Sequence, residues 1–183
     1  MGYDLHLFDC GRNYDEEMEN NLRINFFQMP NLRGVMRELG MLHEGRTPRF
    51  PRLPDEYDYL WGDGLMMSLF SDPTECWDGE GELEGIDADT LKVLRRYARR
   101  NIQVFFSVPR SWKGGICVYK LSSNDEWVVS PEEIKTALAT YNSRTDDRVL
   151  SKALWTNGVD RDKWDEWIKW LEGAVNCGGF TVS

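Results

Sequence analysis

The sequence predicts a predominantly helical α+β fold with a small and mostly antiparallel sheet. Several segments repeat apolar residues every three or four positions, whereas shorter segments near both ends alternate like strands. The chain has 183 residues, of which 41% are hydrophobic and 13% aromatic, enough to bury one core. We therefore expect a single globular domain over residues 1–183, with an acidic loop at about residues 72–86.

The elements of the first half follow from these periods. Residues 3–8, "YDLHLF", alternate as a strand does, and residues 14–27 place apolar side chains four apart, which predicts a helix. Residues 30–42 predict a second helix, ended by a glycine. Residues 43–57 contain three prolines and predict an extended loop, and the apolar residues 57–70 predict a buried helix.

The middle of the chain begins with a loop rich in glycine and acid at residues 72–85. Asp87 then provides an N-cap for a basic helix. Two strands are predicted next, "IQVFFSV" at residues 102–108 and "GGICVYKL" at residues 114–121, and they are joined by "PRSWKGG".

The last third carries the clearest local signal. After a strand "EWVV", Ser130 suits an N-cap, Pro131 the first helical position and Glu133 the third, which together form a capping box. A final helix is predicted over residues 160–177, followed by two glycines and a terminal strand. We expect the first strand of the chain to pair with one of the later strands.

Negative charge is concentrated in one part of the chain. The net charge is −9, and between Leu53 and Leu91 there are twelve acids and no lysine or arginine. This asymmetry favours association with a basic surface on a partner protein. The carboxylates that we expect to contact the partner are Glu75, Asp78, Glu80, Glu82 and Glu84.

A basic stripe follows the acids directly. Its members fall at helical positions i, i+3, i+4, i+7 and i+8, and they are Lys92, Arg95, Arg96, Arg99 and Arg100. Three interpretations stay open: a solvated or self-neutralised face, a surface for an acidic protein, or a phosphate-binding surface. The sequence pI of about 4.8 makes nucleic acid the least favoured ligand, because long-range repulsion opposes its approach.

The tryptophans divide into core and surface candidates. Trp164 and Trp167 share an apolar helical stripe and are predicted to be buried, whereas Trp170 falls off that stripe and is predicted to be exposed. Trp112, in the glycine-flanked segment "RSWKGG", is the aromatic residue that we expect to contact a partner.

The cysteines predict the compartment. Cys10, Cys76, Cys117 and Cys177 are widely separated and contain no C-x-x-C pair, and the opening "MGYDLHLFDC" is no signal peptide. We expect reduced thiols and a cytoplasmic location. No apolar run is long enough to span a membrane, so we expect no membrane association.

The motifs of catalysis and of metal or cofactor binding are not found. There is no G-x-S-x-G motif, and His6 and His43 are the only histidines. No His or Cys pair has the spacing of a structural zinc site. The acidic segment 78–89 resembles a calcium loop but has Leu83 where glycine is required, and its carboxylates would repel the phosphates of a nucleotide. We expect no catalytic residue, metal or cofactor.

Four blocks of sequence carry a resemblance. They are "MGYDLH", "LRINFFQMPNLRGVMRELGM", "GICVYKLSSNDEWVVSPEEI" and "WIKWLEGAVNCGGFTVS". In this order they resemble a group of small proteins from actinobacteria and their phages that has no assigned activity. The chain departs from the group at Glu126, where glycine is usual, and in its acidic segment. The resemblance implies the cytoplasm of a bacterial cell and implies no reaction.

The sequence therefore favours a non-enzymatic protein-interaction factor that acts through an acidic surface. An inhibitor or immunity protein of phage or bacterial conflict fits a small, acidic and aromatic-rich chain. The alternative is a small, hydrolase-like enzyme that uses carboxylates and His43, which requires perturbed carboxylates around that histidine.

Overall fold

The computed structural model describes residues 2–7, 21–25, 28–52, 54–57, 87–123 and 125–183. The described chain is predominantly helical with a small antiparallel sheet, so the predicted α+β class is confirmed. It divides into two compact units, one of residues 1–47 and 108–183 and one of residues 48–107. The single domain over residues 1–183 stays a prediction.

The main sheet has four antiparallel strands in the order β2-β1-β6-β5. These strands are β1 (Gly2–Leu7), β2 (Asn21–Asn25), β5 (Trp127–Val129) and β6 (Phe180–Val182). Strand β1 lies between β2 and β6, with Leu5 opposite Val182. The predicted pairing of the first strand with a late strand is therefore confirmed, and the last strand of the chain is central to the sheet.

Strand β2 corrects one prediction. Residues 14–27 were expected to form a helix, but residues 21–25 pair with β1, with Tyr3 opposite Ile24. Apolar residues at positions 22, 24 and 26 satisfy both a period of two and a period of four, so the pattern did not separate strand from helix. Residues 21–25 form a strand, and burial alternates along it: Ile24 is buried while Arg23 and Asn25 are exposed.

Helix α1 (Gln28–Glu38) forms as predicted and buries Met29, Leu32, Val35 and Met36. Gly40 follows it with a φ of +73°, a left-handed conformation that ends the helix at little cost. A short strand, β3 (Leu42–His43), pairs in parallel with β4 (Ile116–Cys117). The rest of the segment up to residue 52 forms no helix or strand, which agrees with the predicted loop, and a single 3₁₀ turn follows at residues 55–57.

Helix α2 (Ala88–Phe106) belongs to the smaller unit and corrects a second prediction. Residues 102–108 were expected to form a strand, but the helix continues through Phe106. Its buried face shows why: the side chains at i, i+3, i+4, i+7 and i+11 from Leu94 are buried, and they are Leu94, Tyr97, Ala98, Asn101 and Phe105. The helical period of burial outweighs the local β propensity.

The segment predicted as a strand at residues 114–121 is only partly one. After β4, the chain forms a 3₁₀ turn over Val118–Leu121. Strand β5 and the capping box are confirmed: Ser130 Oγ accepts from Glu133 N at 3.3 Å, and Glu133 Oε2 accepts from Ser130 N at 3.1 Å. Helix α3 (Pro131–Arg144) begins at this box.

Two more helices complete the larger unit, α4 (Asp147–Asn157) and α5 (Arg161–Asn176). Trp164 and Trp167 are buried as predicted. Trp170 is buried too, against expectation, because its ring lies 4.8 Å from that of Phe180 and 5.7 Å from that of Trp167. Phe180 of strand β6 therefore covers the side of α5 that lies beside the predicted apolar stripe.

The predicted buried helix at residues 57–70, beyond Tyr57, and the acidic loop at residues 72–86 lie outside the described residues.

Candidate interaction sites

The acidic contact residues predicted from sequence are not among the residues that the structure describes. Glu75, Asp78, Glu80, Glu82 and Glu84 all precede Asp87, where description resumes. Their role stays a prediction.

Asp87 is the N-cap of α2, as predicted. Its carboxylate accepts from Thr90 Oγ1 at 2.6 Å and from the backbone amides of Asp89 and Thr90 at 3.1 and 3.0 Å. These hydrogen bonds, that of the Thr90 hydroxyl above all, lower the pKa of Asp87 below its usual value. This carboxylate is therefore committed to holding the helix start, and α2 begins at a fixed residue.

The basic stripe occupies the solvent side of α2. Lys92, Arg96, Arg99 and Arg100 are exposed, and with Gln103 they line an open concavity. None of these four cations forms an ion pair with a carboxylate in the described part of the chain. Arg95 lies in the same helix. Four of the five residues of the stripe are therefore exposed, and the role of the stripe stays a prediction.

Trp112 lies in the turn before β4 and is half-buried, not fully exposed. Its indole Nε1 donates to the backbone oxygen of Gly115 at 2.8 Å. The polar end of the ring thus closes its own turn, which leaves only part of the ring face for a partner. A contact role for Trp112 stays a prediction.

Trp155 was not singled out from the sequence, yet it is the most exposed large hydrophobic side chain that the structure describes. It lies on α4 with 89% of its surface exposed. The sequence contains a signal for this exposure. Helix α4 buries Leu150, Ala153 and Leu154, and the helical period directs residue 155 away from them. Arg148, Val149 and Lys152 are exposed on the same helix.

A second feature missed from sequence is a buried ion pair. Lys120 Nζ donates to Glu133 Oε2 at 2.8 Å and to the backbone oxygen of Val128 at 2.6 Å, and both side chains are fully buried. Glu133 Oε1 accepts from Cys117 N at 3.2 Å. Because both carboxylate oxygens have protein donors and neither side chain is exposed, the pair organises β4, β5 and the start of α3.

Two groups next to this pair are held in their neutral forms. Burial, and then the negative charge of Glu133, raise the pKa of the Cys117 thiol to about 12. Burial likewise raises the pKa of the Tyr119 hydroxyl. A thiol with a raised pKa is a poor nucleophile at neutral pH, so this cluster is structural in character.

The two histidines lie on different strands, and His43 lies opposite Cys117 in the pairing of β3 with β4. His6 is exposed on β1, and His43 is half-buried in β3 with its Nε2 buried and lacking a hydrogen-bond partner among the described residues. Glu44, which follows His43, pairs with Arg37 at 2.6 Å. The alternative of an enzyme using carboxylates and His43 stays a prediction.

The described cysteines are buried and form no metal site with other described residues. Cys117 and Cys177 are free and buried, and Cys10 and Cys76 lie outside the described residues. Within the described ranges, no three His, Cys, Asp or Glu side chains cluster as metal ligands would. No helix there is long and apolar enough to cross a membrane.

Comparison of the chain with protein-family models, with curated proteins and with solved structures gave no match.

Proposed function

We propose that this protein is a non-enzymatic factor that binds another protein in the cytoplasm of a bacterial cell. The class that we favour is an inhibitor or immunity protein of phage or bacterial conflict. The resemblance to small actinobacterial and phage proteins supports this setting. The exposed Trp155 is the observation that carries the proposal.

The indole of Trp155, exposed over 89% of its surface, keeps a large apolar area in contact with water. Burying a tryptophan removes roughly 150–250 Å² from water, and each Å² of apolar surface is worth about 25 cal/mol. Tryptophan is also the residue type most enriched among those that dominate binding energy at protein interfaces. A partner that covers Trp155 removes this apolar area from water, and the removal stabilises the complex.

The helix that carries Trp155 is firmly positioned. At its start, Asp146 accepts from Val149 N at 2.8 Å, and Asp147 pairs with Arg161 at 2.9 Å. At its end, Asn157 donates to Glu38 Oε1 of α1 at 2.9 Å. A side chain presented on a rigid helix loses little entropy on binding, which favours an interface over a mobile solvent-exposed ring.

The acidic segment provides the second part of the proposed interaction. Its carboxylates, Glu75 to Glu84, would engage a basic surface of the partner by charge complementarity, with the face of Trp112 as a further contact. Such complementarity mainly accelerates association, whereas a buried aromatic anchor mainly slows dissociation. The two parts are therefore separable by kinetics.

The test is affinity purification of the tagged protein from actinobacterial cells, with and without phage infection, followed by quantitative mass spectrometry. Three variants accompany the wild type: Trp155→Ala, the triple variant E80K/E82K/E84K, and the control D125K/D162K/E172K. The control changes net charge by the same amount at carboxylates that are exposed in the structure.

We expect a partner that the wild type and the control retain, and that both other variants lose by tenfold or more. Retention of the same partner by E80K/E82K/E84K would exclude the acidic surface. Retention by Trp155→Ala would exclude α4, and recovery of no partner that distinguishes the variants would exclude the interaction factor itself.

A further inference from the structure

The smaller unit contains a crevice beside the basic stripe. It lies between the segment that contains Pro51, Pro54 and Tyr57 and helix α2, and its volume is about 280 Å³. Pro54, Tyr57, Val93 and Tyr97 contribute apolar and aromatic wall. This size is close to the lower end of pockets that bind small organic molecules, about 300 Å³.

Two arginines, Arg96 and Arg100, also line this crevice. They are four residues apart on α2, so their side chains project from the same face about 6 Å apart along the helix. Both are exposed, and neither forms an ion pair with a described carboxylate. Two planar guanidinium groups at the edge of a crevice can each donate two hydrogen bonds to one anion.

The other described charges that line the crevice do not neutralise this positive end. Arg52 pairs with Asp55 at 2.7 Å, so it adds little net charge. Glu56 is the one carboxylate among the described residues that line the crevice. Lys92 and Arg99 lie on the same stripe and strengthen the positive field along α2.

We propose that this crevice binds a small aromatic phosphomonoester, a molecule with one flat aromatic group and one phosphate. The ring would lie against Tyr57, Tyr97 and Val93, and the phosphate would be held by Arg96 and Arg100. A phosphomonoester matches two guanidinium groups better than a carboxylate does, because it carries a charge of −1.5 to −2 at pH 7 and three acceptor oxygens. This site does not depend on the proposed protein partner.

Two natural sources offer this chemistry, a free nucleotide and a phosphorylated tyrosine side chain. Isothermal titration calorimetry with AMP and with phenyl phosphate separates them. Adenosine and inorganic phosphate are the matched probes that carry only the ring or only the anion. Benzoate replaces the phosphate by a carboxylate on the same ring as phenyl phosphate.

We expect AMP or phenyl phosphate to bind at least tenfold more tightly than adenosine, inorganic phosphate and benzoate. Whichever of the two binds more tightly identifies the source. Absence of binding by both at millimolar concentration would overturn the proposal.

The variants R96Q and R100Q test the two arginines, and R99Q is the control, because Arg99 lies on the same helix face but outside the crevice. We expect R96Q and R100Q each to weaken binding at least tenfold and R99Q to weaken it less than threefold. Equal weakening by all three, removed by raising the salt concentration, would show a general attraction of anions to α2 and would contradict a built site. All three residues are exposed, so the variants keep the fold.

Discussion

Two lysine–glutamate pairs of nearly the same length occur in very different surroundings. Lys120 and Glu133 lie 2.8 Å apart with both side chains fully buried. Lys163 and Glu166 lie 2.9 Å apart on α5, with 60% and 53% of their side chains exposed. The two pairs should therefore differ in what it costs to break them, although their distances are nearly equal. Water competes for the exposed pair and is excluded from the buried one.

The buried pair is part of a closed network. Each oxygen of Glu133 has at least one protein donor, and Lys120 has a second acceptor in the backbone of Val128. A buried charge that is fully paired is tolerated, but one that loses its partner cannot recover it from solvent. The exposed pair can always exchange its partner for water.

The cations of α2 represent a third setting. Arg96 and Arg100 are exposed like Lys163, but they have no acidic partner among the described residues. Within the described chain, positive charge is thus buried in the core with its partner, paired at the surface, or left open. Among the described cations, those without a described partner can take a ligand without breaking an ion pair that the structure describes.

The largest expected effect comes from breaking the buried pair. Glu133→Gln keeps the side-chain shape but leaves the ammonium of Lys120 buried without a counter-charge, so it should lower the free energy of unfolding by about 3–5 kcal/mol. Urea unfolding measures this loss. The control Glu166→Gln, in the exposed pair, should leave the urea midpoint almost unchanged.

A double variant distinguishes lost charge pairing from lost packing. Lys120→Met with Glu133→Gln removes both charges, and it should regain most of the stability that Glu133→Gln alone loses. If the double variant is no more stable than the single one, charge burial is not the cause of the loss. This comparison holds even if Glu133→Gln fails to fold.

The tryptophans give the next largest contrast. Trp170→Ala should lower the free energy of unfolding by about 3 kcal/mol, because the ring fills the space between Trp167 and Phe180. Trp155→Ala should change it by less than about 0.5 kcal/mol, since the exposed ring has no packing to lose. Thermal unfolding of both variants measures the difference, and comparable losses would show that Trp155 is part of the fold after all.

Cys117 extends the comparison to alkaline pH. Its folded pKa of about 12 lies above the ordinary thiol value of 9.0. Below pH 9 both folded and unfolded thiols are protonated, so the contribution to stability is fully present. Above pH 9 only the unfolded state loses the proton, and stability should fall by about 1.4 kcal/mol per pH unit until the folded thiol ionises.

The measurement is urea unfolding at pH 8, 9 and 10 for the wild type and for Cys117→Ala. The variant should have a shallower fall between pH 9 and 10, because most of the contribution of Tyr119 begins above the ordinary tyrosine pKa of 10.0. Parallel pH profiles would mean that the thiol ionises equally in both states.

Local signals predicted much of the fold, and contacts between distant segments decided the rest. The capping box of Ser130 and Glu133 could be predicted from the sequence because its two residues are only three positions apart. Helix α2 extended beyond its predicted end because burial of Asn101 and Phe105 continues one helical face. Strand β2 was ambiguous until β1 was available to pair with it.

The candidate sites show the same division. The exposed basic stripe followed from spacing alone, since it needs no other segment. The burial of Trp170 required Phe180 of β6, and the ion pair of Glu133 required Lys120, thirteen residues earlier. The crevice depends on residues 51–57 lying against α2, which no pattern in either segment encodes.

Substitution of Glu126 should have the smallest effect on stability. Unlike the other substitutions, it should raise the free energy of unfolding. Glu126 has a left-handed φ of +59°, a conformation that side chains with a β-carbon resist and that glycine adopts freely. Its amide donates to Val182 O at 2.9 Å, so the conformation is fixed by the pairing of β5 with β6.

Glu126→Gly should therefore raise the free energy of unfolding by about 0.5–1 kcal/mol, the strain released less the extra entropy of glycine in the unfolded chain. Urea unfolding measures the gain, and Glu126→Ala is the control, because it removes the carboxylate but keeps the β-carbon. Equal stabilisation by both variants would assign the effect to the carboxylate. A gain confined to the glycine variant would show that the backbone at this position, between the 3₁₀ turn and β5, is the strained element.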